Sequence, residues 1–183
     1  MSVIRSVAEL NNIKEEYLAK QASYKRRVLV CGGAGCVSSN CQEAQDALVE
    51  ALEKNGLSES VQVLVTGCMG TCASGPVLLV EPDGVFYTKM DYEKVNDMVD
   101  RHLLNDEVVE EYTFYDNYQK KYIPKIDDIS FFKEQVRIAL RNCGKMDYSS
   151  LDAYIARDGY AALGKILSGM SPKEVDLGGR RII

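Results

Sequence analysis

The sequence predicts an α/β domain, a small mixed sheet flanked by helices, followed by a mainly helical C-terminal extension. Three observations carry this. Short apolar runs of strand type alternate with amphipathic helical stretches over the first half of the chain. A helix separates the first two runs, which requires a crossover and favours parallel pairing. The turn signal Pro82-Asp83-Gly84 separates the last two, which favours an antiparallel hairpin.

Taken in order, "SVAELNNIKEEYLAKQA" (6–22) places Val7, Leu10, Ile13, Tyr17 and Leu18 on roughly one helical face. "RRVLVCG" reads as a strand ending at Cys31, bounded by a charge cluster and by glycines. "SSNCQEAQDALVEALEKNG" is the clearest helix. Ser39 or Asn40 can cap it, Glu43 completes a capping-box-like arrangement, and Gly56 stops it. Its apolar stripe is Ala44, Ala47, Leu48, Ala51 and Leu52. "VQVLVT" (61–66) is the second strand, and "PVLLVEP" with "GVFYTKM" forms the hairpin. "DYEKVNDMVDRHLL" is a further capped helix with Val95, Met98, Val99 and Leu103 inward. The order β-α-β-β-β-α is that of a small thioredoxin-like domain over residues 24–106, preceded by an N-terminal helix (1–23).

Beyond it, the charged, tyrosine-rich stretch 107–130 reads as a linker with at most a short extended piece. The helical segment 131–183, with the two residues before it, then gives three short helical patterns, "ISFFKEQVRIALRNCGK", "SSLDAYIARDG" and "YAALGKILSGMSPKEV", whose apolar positions are too few for an independent core.

Composition narrows the function classes. The chain has 183 residues, 46% hydrophobic and 27% charged, the make-up of a globular protein. A formal net charge of −5 argues against general nucleic-acid binding, which needs a basic face. The clusters "KRR" (25–27) and "GRR" (179–181) read as solvated surface. No apolar run is long enough to span a bilayer, so no membrane insertion is expected. The N-terminal stretch has no apolar h-region, so no export signal is expected and the predicted location is the cytoplasm.

In that reducing compartment close-spaced cysteines more often bind metal or do redox chemistry than form disulfides. The spacing is Cys31-x4-Cys36 and Cys68-x3-Cys72, with Cys41 and Cys143 additional. The first pair follows the first strand and the second pair follows the second strand. Parallel pairing brings both strand ends to one edge of the sheet, so the two pairs can converge. Four thiolates can hold tetrahedral zinc or a 2Fe-2S cluster. Zinc knuckles usually use two-residue gaps, and the glycine-rich loops "CGGAGC" and "GCMGTCASG" let backbone N–H groups turn toward cluster sulfides; both points favour iron and sulfur. Zinc, thiol redox chemistry and simple packing stay open, although no C-x-x-C is present. His102, the only histidine, reads as a residue at a helix end rather than a ligand.

The stretch "VLVCGGAGCVSSNCQEA…VLVTGCMGTCASGPVLLVEPDGVFYTKMDYEKVNDMVDRHL" resembles the thioredoxin-like 2Fe-2S ferredoxin domain. More narrowly, it is similar to the form fused to the N-terminus of the NADH-oxidising flavoprotein subunit of NAD-linked (bifurcating) hydrogenases and complex I relatives. The resemblance implies Cys31, Cys36, Cys68 and Cys72 as ligands of a 2Fe-2S cluster. Cys41, five residues beyond Cys36, would then sit in the first turn of the following helix, where the dipole can lower a thiol pKa; a packing role is the expectation.

Residues 131–183 resemble the opening segment of that flavoprotein subunit. The chain then reads "DLGGRRII" where the family continues into a glycine-rich FMN loop, so neither FMN nor NAD is expected here and Gly178 and Gly179 are given no such contacts. A cluster passes one electron, whereas NADH delivers a hydride, and the flavin is what splits that pair. The chain is therefore expected to be a one-electron carrier within an NAD-linked hydrogenase or NADH dehydrogenase-like complex, partnered by flavoprotein and hydrogenase or complex I-like subunits and not catalytic alone. The alternative is a zinc-holding or metal-free adaptor of such a complex.

Overall fold

The computed structural model describes residues 3–169. Its elements are α1 (Val7–Ala22), β1 (Arg26–Cys31), α2 (Ala34–Ser38), α3 (Cys41–Lys54), β2 (Val61–Thr66), β3 (Leu78–Glu81), β4 (Val85–Tyr87), α4 (Tyr92–Met98), β5 (Phe114–Asp116), β6 (Lys121–Ile123), α5 (Ser130–Lys133), α6 (Leu151–Ala156) and α7 (Ala161–Gly169). The expected glycines Gly178 and Gly179, and the end of the third helical pattern, lie outside the described residues.

Residues Ser23–Tyr148 form one compact unit around a four-stranded sheet of order β2-β1-β3-β4. β1 runs parallel to β2, with Cys31 opposite Thr66, while β3 is antiparallel to both β1 and β4. This is the predicted mixed sheet. As an inner strand, β1 buries Val28, Leu29 and Val30 completely or nearly so. An inner strand covered on both faces reads as an unbroken apolar run rather than an alternating one.

The crossover helix α3 buries the predicted stripe Ala44, Ala47, Leu48, Ala51 and Leu52. Full burial of a side chain such as Leu48 contributes roughly 1.5–3 kcal/mol relative to exposure. Its N-terminus departs from the expected capping box: Asn40 takes the left-handed conformation (φ 63°), and its amide donates to the Glu43 carboxylate instead of capping the backbone. The C-terminus closes as expected. Leu57 N–H reaches Leu52 O and Gly56 N–H reaches Glu53 O, a Schellman pair that requires φ +67° at Gly56. In α4, Asp91 caps Lys94 N–H, and Val95, Met98, Val99 and Leu103 are all buried as predicted, the last two in a wider π-type continuation over Val99–Leu104.

The stretch 107–130, expected as a linker, is part of this unit. Val109, Ile123, Ile126 and Ile129 are buried in its core, β5 and β6 form a hairpin, and bridges Val85↔Lys125 and Tyr87↔Thr113 run along the outer side of β4. The charged, aromatic composition conceals these four apolar anchors. Of "ISFFKEQVRIALRNCGK", only Ser130–Lys133 is helical. Val136, Ile138 and Leu140 recur with period two, which does not put them on one side of a helix, and all three are exposed.

Beneath the β3–β4 turn lies a buried polar network. Arg26 donates to Asp83 and Asp106 at 2.6 Å each. His102 is 1% exposed, with Nδ1 2.9 Å from the Tyr87 hydroxyl and Nε2 3.3 Å from Asp83. Burial holds the His102 pKa below the ordinary value, the pull of Asp83 opposing it and the charge of Arg26 adding to it. The unfolded chain therefore binds more protons than the native protein below an ordinary histidine pKa of about 6.5, so stability is full above that pH and falls as pH drops through the window beneath it. Urea midpoints at pH 7.5, 6.5 and 5.5 should show the decline starting before any carboxylate titrates. A His102→Asn variant should flatten it over this range.

The second unit is built from α1, α6 and α7. The helix α1 buries no residue completely; Lys14 pairs with Asp158 at 2.6 Å, and Gly164 lies against Val7 and Leu10. Ser150 caps α6 through Ala153 N–H.

Candidate metal centre

The parallel register fixes the site. Cys31 ends β1 opposite Thr66, and Gly32 N–H donates to Thr66 O at 2.8 Å, so the loops after β1 and β2 leave the same edge of the sheet. The first loop carries Cys36 into the short turn of α2. The second carries Cys68, then Cys72 at the start of a 3-10 turn, Cys72–Ser74.

The loops interlock. A Cβ added at Gly33 would lie 2.8 Å from Cys68 Cβ and 3.0 Å from Cys68 Sγ. One added at Gly35 would lie 2.8 Å from Cys72 Cβ, and one at Gly75 would lie 3.0 Å from Cys36 Sγ. Each loop therefore holds glycine where the other places a cysteine, and the close approach leaves no space for a side chain. The interlocked loops thus set Cys68 and Cys72 against the glycines beside Cys36, and Cys31 lies within hydrogen-bond reach of Cys36.

The two pairs differ in environment. Cys31 and Cys36 are 2% and 1% exposed, whereas Cys68 and Cys72 face solvent. Burial, reinforced by the neighbouring Cys31 thiol, pushes the Cys36 pKa up to about 12. The Cys72 thiol is raised by its contact with Cys68. Four crowded thiolates repel one another unless a cation compensates, and a metal supplies that charge and reverses the shifts.

The Cys68 and Cys72 sulfurs are 3.7 Å apart. Two thiolates on one tetrahedral metal, with bonds of about 2.3 Å, sit about 3.8 Å from each other, so this pair fits a single metal vertex. Among the described residues no three His, Cys, Asp or Glu groups gather as one mononuclear metal site. A two-iron cluster does not require that, because each iron takes only two protein sulfurs.

A family model described as thioredoxin-like [2Fe-2S] ferredoxin matches residues 6–103. The chain belongs to this family. It is 39% identical over 74 residues to the 2Fe-2S ferredoxin of Clostridium pasteurianum, covering 40% of this chain and 72% of that one. A solved thioredoxin-like [2Fe-2S] ferredoxin from Aquifex aeolicus superposes with TM-score 0.45 and 32% identity, over 49% of this chain and 89% of its own. The subunit HndC of an NADP-reducing hydrogenase from Solidesulfovibrio fructosivorans is 56% identical over 43 residues, 24% of this chain and 9% of that subunit. As a member of the family, this thioredoxin-like ferredoxin is an electron carrier with a 2Fe-2S cluster, which when bound accepts and returns one electron.

The remaining sequence-predicted residues fall outside this arrangement or at its rim. Cys41, 7% exposed at the start of α3, is raised by burial rather than lowered by the helix dipole, as suits a packing residue. His102 belongs to the network beneath the β3–β4 turn. Five strand steps, about 17 Å, separate Arg26 in that network from Cys31. Cys143, remote in sequence, is brought to the rim of the site: its sulfur is 3.3 Å from where a Gly67 Cβ would be, and Met69 packs against Gly144. Gly144 N–H also donates to Thr66 Oγ1 at 2.9 Å. Nothing in the local pattern around Cys143 signals this approach, which depends on how residues 134–148 return to the β2 end. No helix among the described residues is long and apolar enough to cross a membrane.

Proposed function

We propose that Cys31, Cys36, Cys68 and Cys72 hold the 2Fe-2S cluster, and that the protein relays single electrons in the cytoplasm as part of an NAD-linked hydrogenase or NADH dehydrogenase-like complex. The observation that carries the ligand set is the interlocking of the two loops, with Gly33 and Gly35 against Cys68 and Cys72 and Gly75 against Cys36. The 3.7 Å sulfur pair supports it independently. In this reading Cys31 and Cys36 fix the buried side of the cluster, and Cys68 and Cys72 present its other side to a partner. The residues of the chain would bind and orient the cluster, and the burial of Cys31 and Cys36 would keep water from that pair of ligands, while the charge of the iron would keep the thiolates deprotonated.

Membership of a complex is favoured by the match to the hydrogenase subunit and by the resemblance of residues 131–183 to the start of a flavoprotein subunit. The partners in this reading are flavoprotein and hydrogenase or complex I-like subunits, and the chain is not catalytic alone. The anaerobically purified 183-residue chain should contain about two iron and about two acid-labile sulfide per chain and give a reduced-state EPR signal after dithionite. Stoichiometric zinc without that signal would overturn the cluster reading. NADH should reduce the protein only when a flavoprotein subunit is added; reduction by NADH alone would overturn the relay.

A further inference from the structure

The loop between Cys68 and Cys72 contains a hydroxyl that the described residues leave unsatisfied. Thr71 directly precedes Cys72, and its Oγ1 is buried without a hydrogen-bond partner among the described residues, cysteine sulfurs included. The residue is not loosely placed: Ser74 N–H donates to Thr71 O at 2.9 Å, and the adjacent Gly70 lies against the Phe131 ring. A buried hydroxyl without a partner is unfavourable, and native proteins satisfy nearly all such groups. The other such atom among the described residues, Gln62 Oε1, is an acceptor on β2 and has nothing to offer an anionic group. A threonine hydroxyl can donate, and the sulfurs of a bound cluster are acceptors that carry negative charge.

We propose that Thr71 Oγ1 donates a hydrogen bond to the sulfur of the bound cluster and thereby raises its reduction potential. The inference rests on Cys68 and Cys72 being ligands, since they bracket Thr71 in one five-residue turn. The added electron makes the cluster more negative, so a donor stabilises the reduced state more than the oxidised one, and its removal makes reduction harder. The hydroxyl sits on the exposed pair, so it acts on the side of the cluster nearest a partner.

The test uses the whole 183-residue chain carrying its cluster. Thr71→Val keeps the shape and removes the donor, and Thr71→Ser restores it. Thr71→Val should retain wild-type iron and sulfide, shift the redox equilibrium about tenfold toward the oxidised form, the equivalent of about 59 mV for one electron, and lose one exchangeable-proton coupling in electron–nuclear double resonance. Thr71→Ser should return both readouts to wild type. An intact cluster in Thr71→Val with unchanged potential and unchanged proton coupling would overturn the proposal and assign the hydroxyl to a trapped water. Loss of the cluster from both Thr71→Val and Thr71→Ala would also overturn it, because Thr71 would then be needed to build the loop. Failure of the ligand reading is separately visible, as wild-type metal content in Cys68→Ser and Cys72→Ser.

Discussion

A Cys36→Ser variant should purify without its cluster, losing the visible absorption and at least about a hundredfold in iron retention against a chelator, while keeping its far-UV circular dichroism. Changing groups that merely support a ligand costs 10–100-fold in metal affinity, so about a hundredfold is a lower bound for removing a ligand. Serine is a harder, more weakly acidic donor than a thiol and a poor match for an iron–sulfur centre. The site cannot recruit a replacement easily, because Cys36 is 1% exposed and pressed against Gly75. Cys41→Ser and Cys143→Ser should keep full iron and sulfide. Cys41→Ser, at a position 7% exposed, should only weaken packing, by about 1 kcal/mol in urea unfolding. Cluster loss in Cys41→Ser with retention in Cys31→Ser would reassign the first ligand.

Gly35→Ala is expected to damage the centre without touching a cysteine. Its new Cβ would meet Cys72 Cβ at 2.8 Å and Cys72 Sγ at 3.2 Å. The first of these atoms is fixed to the backbone, so it cannot swing away, and either loop must shift by several tenths of an ångström. A displaced ligand pair should lose iron to a chelator about tenfold faster, followed as bleaching of the visible spectrum. Gly33→Ala should act likewise through Cys68. Gly169→Ala, where nothing among the described residues lies within 4 Å, is the matched control and should bleach at the wild-type rate.

Much of the central sheet and its helices was legible because local signals and tertiary demands agree. The valine-rich run Val28–Val30 between a charge cluster and glycines suits a strand covered on both faces, the Pro82-Asp83-Gly84 turn favours a hairpin, and the stripe Ala44 to Leu52 has one side to bury. The convergence of the cysteine pairs followed from parallel pairing alone. What stayed hidden depends on long-range approach. The glycines at 33, 35 and 75 suggested free N–H groups, but it takes the folded loops to show that they make way for cysteines. Thr71 looks like an ordinary loop residue until its hydroxyl is found without a partner among the described residues. The capping box failed at Asn40 because the tight turn from α2 into α3 forces a left-handed backbone there. In 107–130, four buried anchors spread among tyrosines and charges give no periodicity, so composition pointed to a tether.

That tether-like stretch has a practical consequence for anyone trimming the protein. A fragment stopped at residue 106 would end where sequence similarity fades, yet it would strip the outer flank of β4 of its partners at Lys125 and Thr113 and uncover Tyr87, which is wholly buried. Bare sheet edges beside apolar surface recruit other chains. With both versions begun at Ser23, so that α1 and its partners α6 and α7 are absent from each, the minimal one should self-associate in size-exclusion chromatography, whereas Ser23–Tyr148 should remain dispersed.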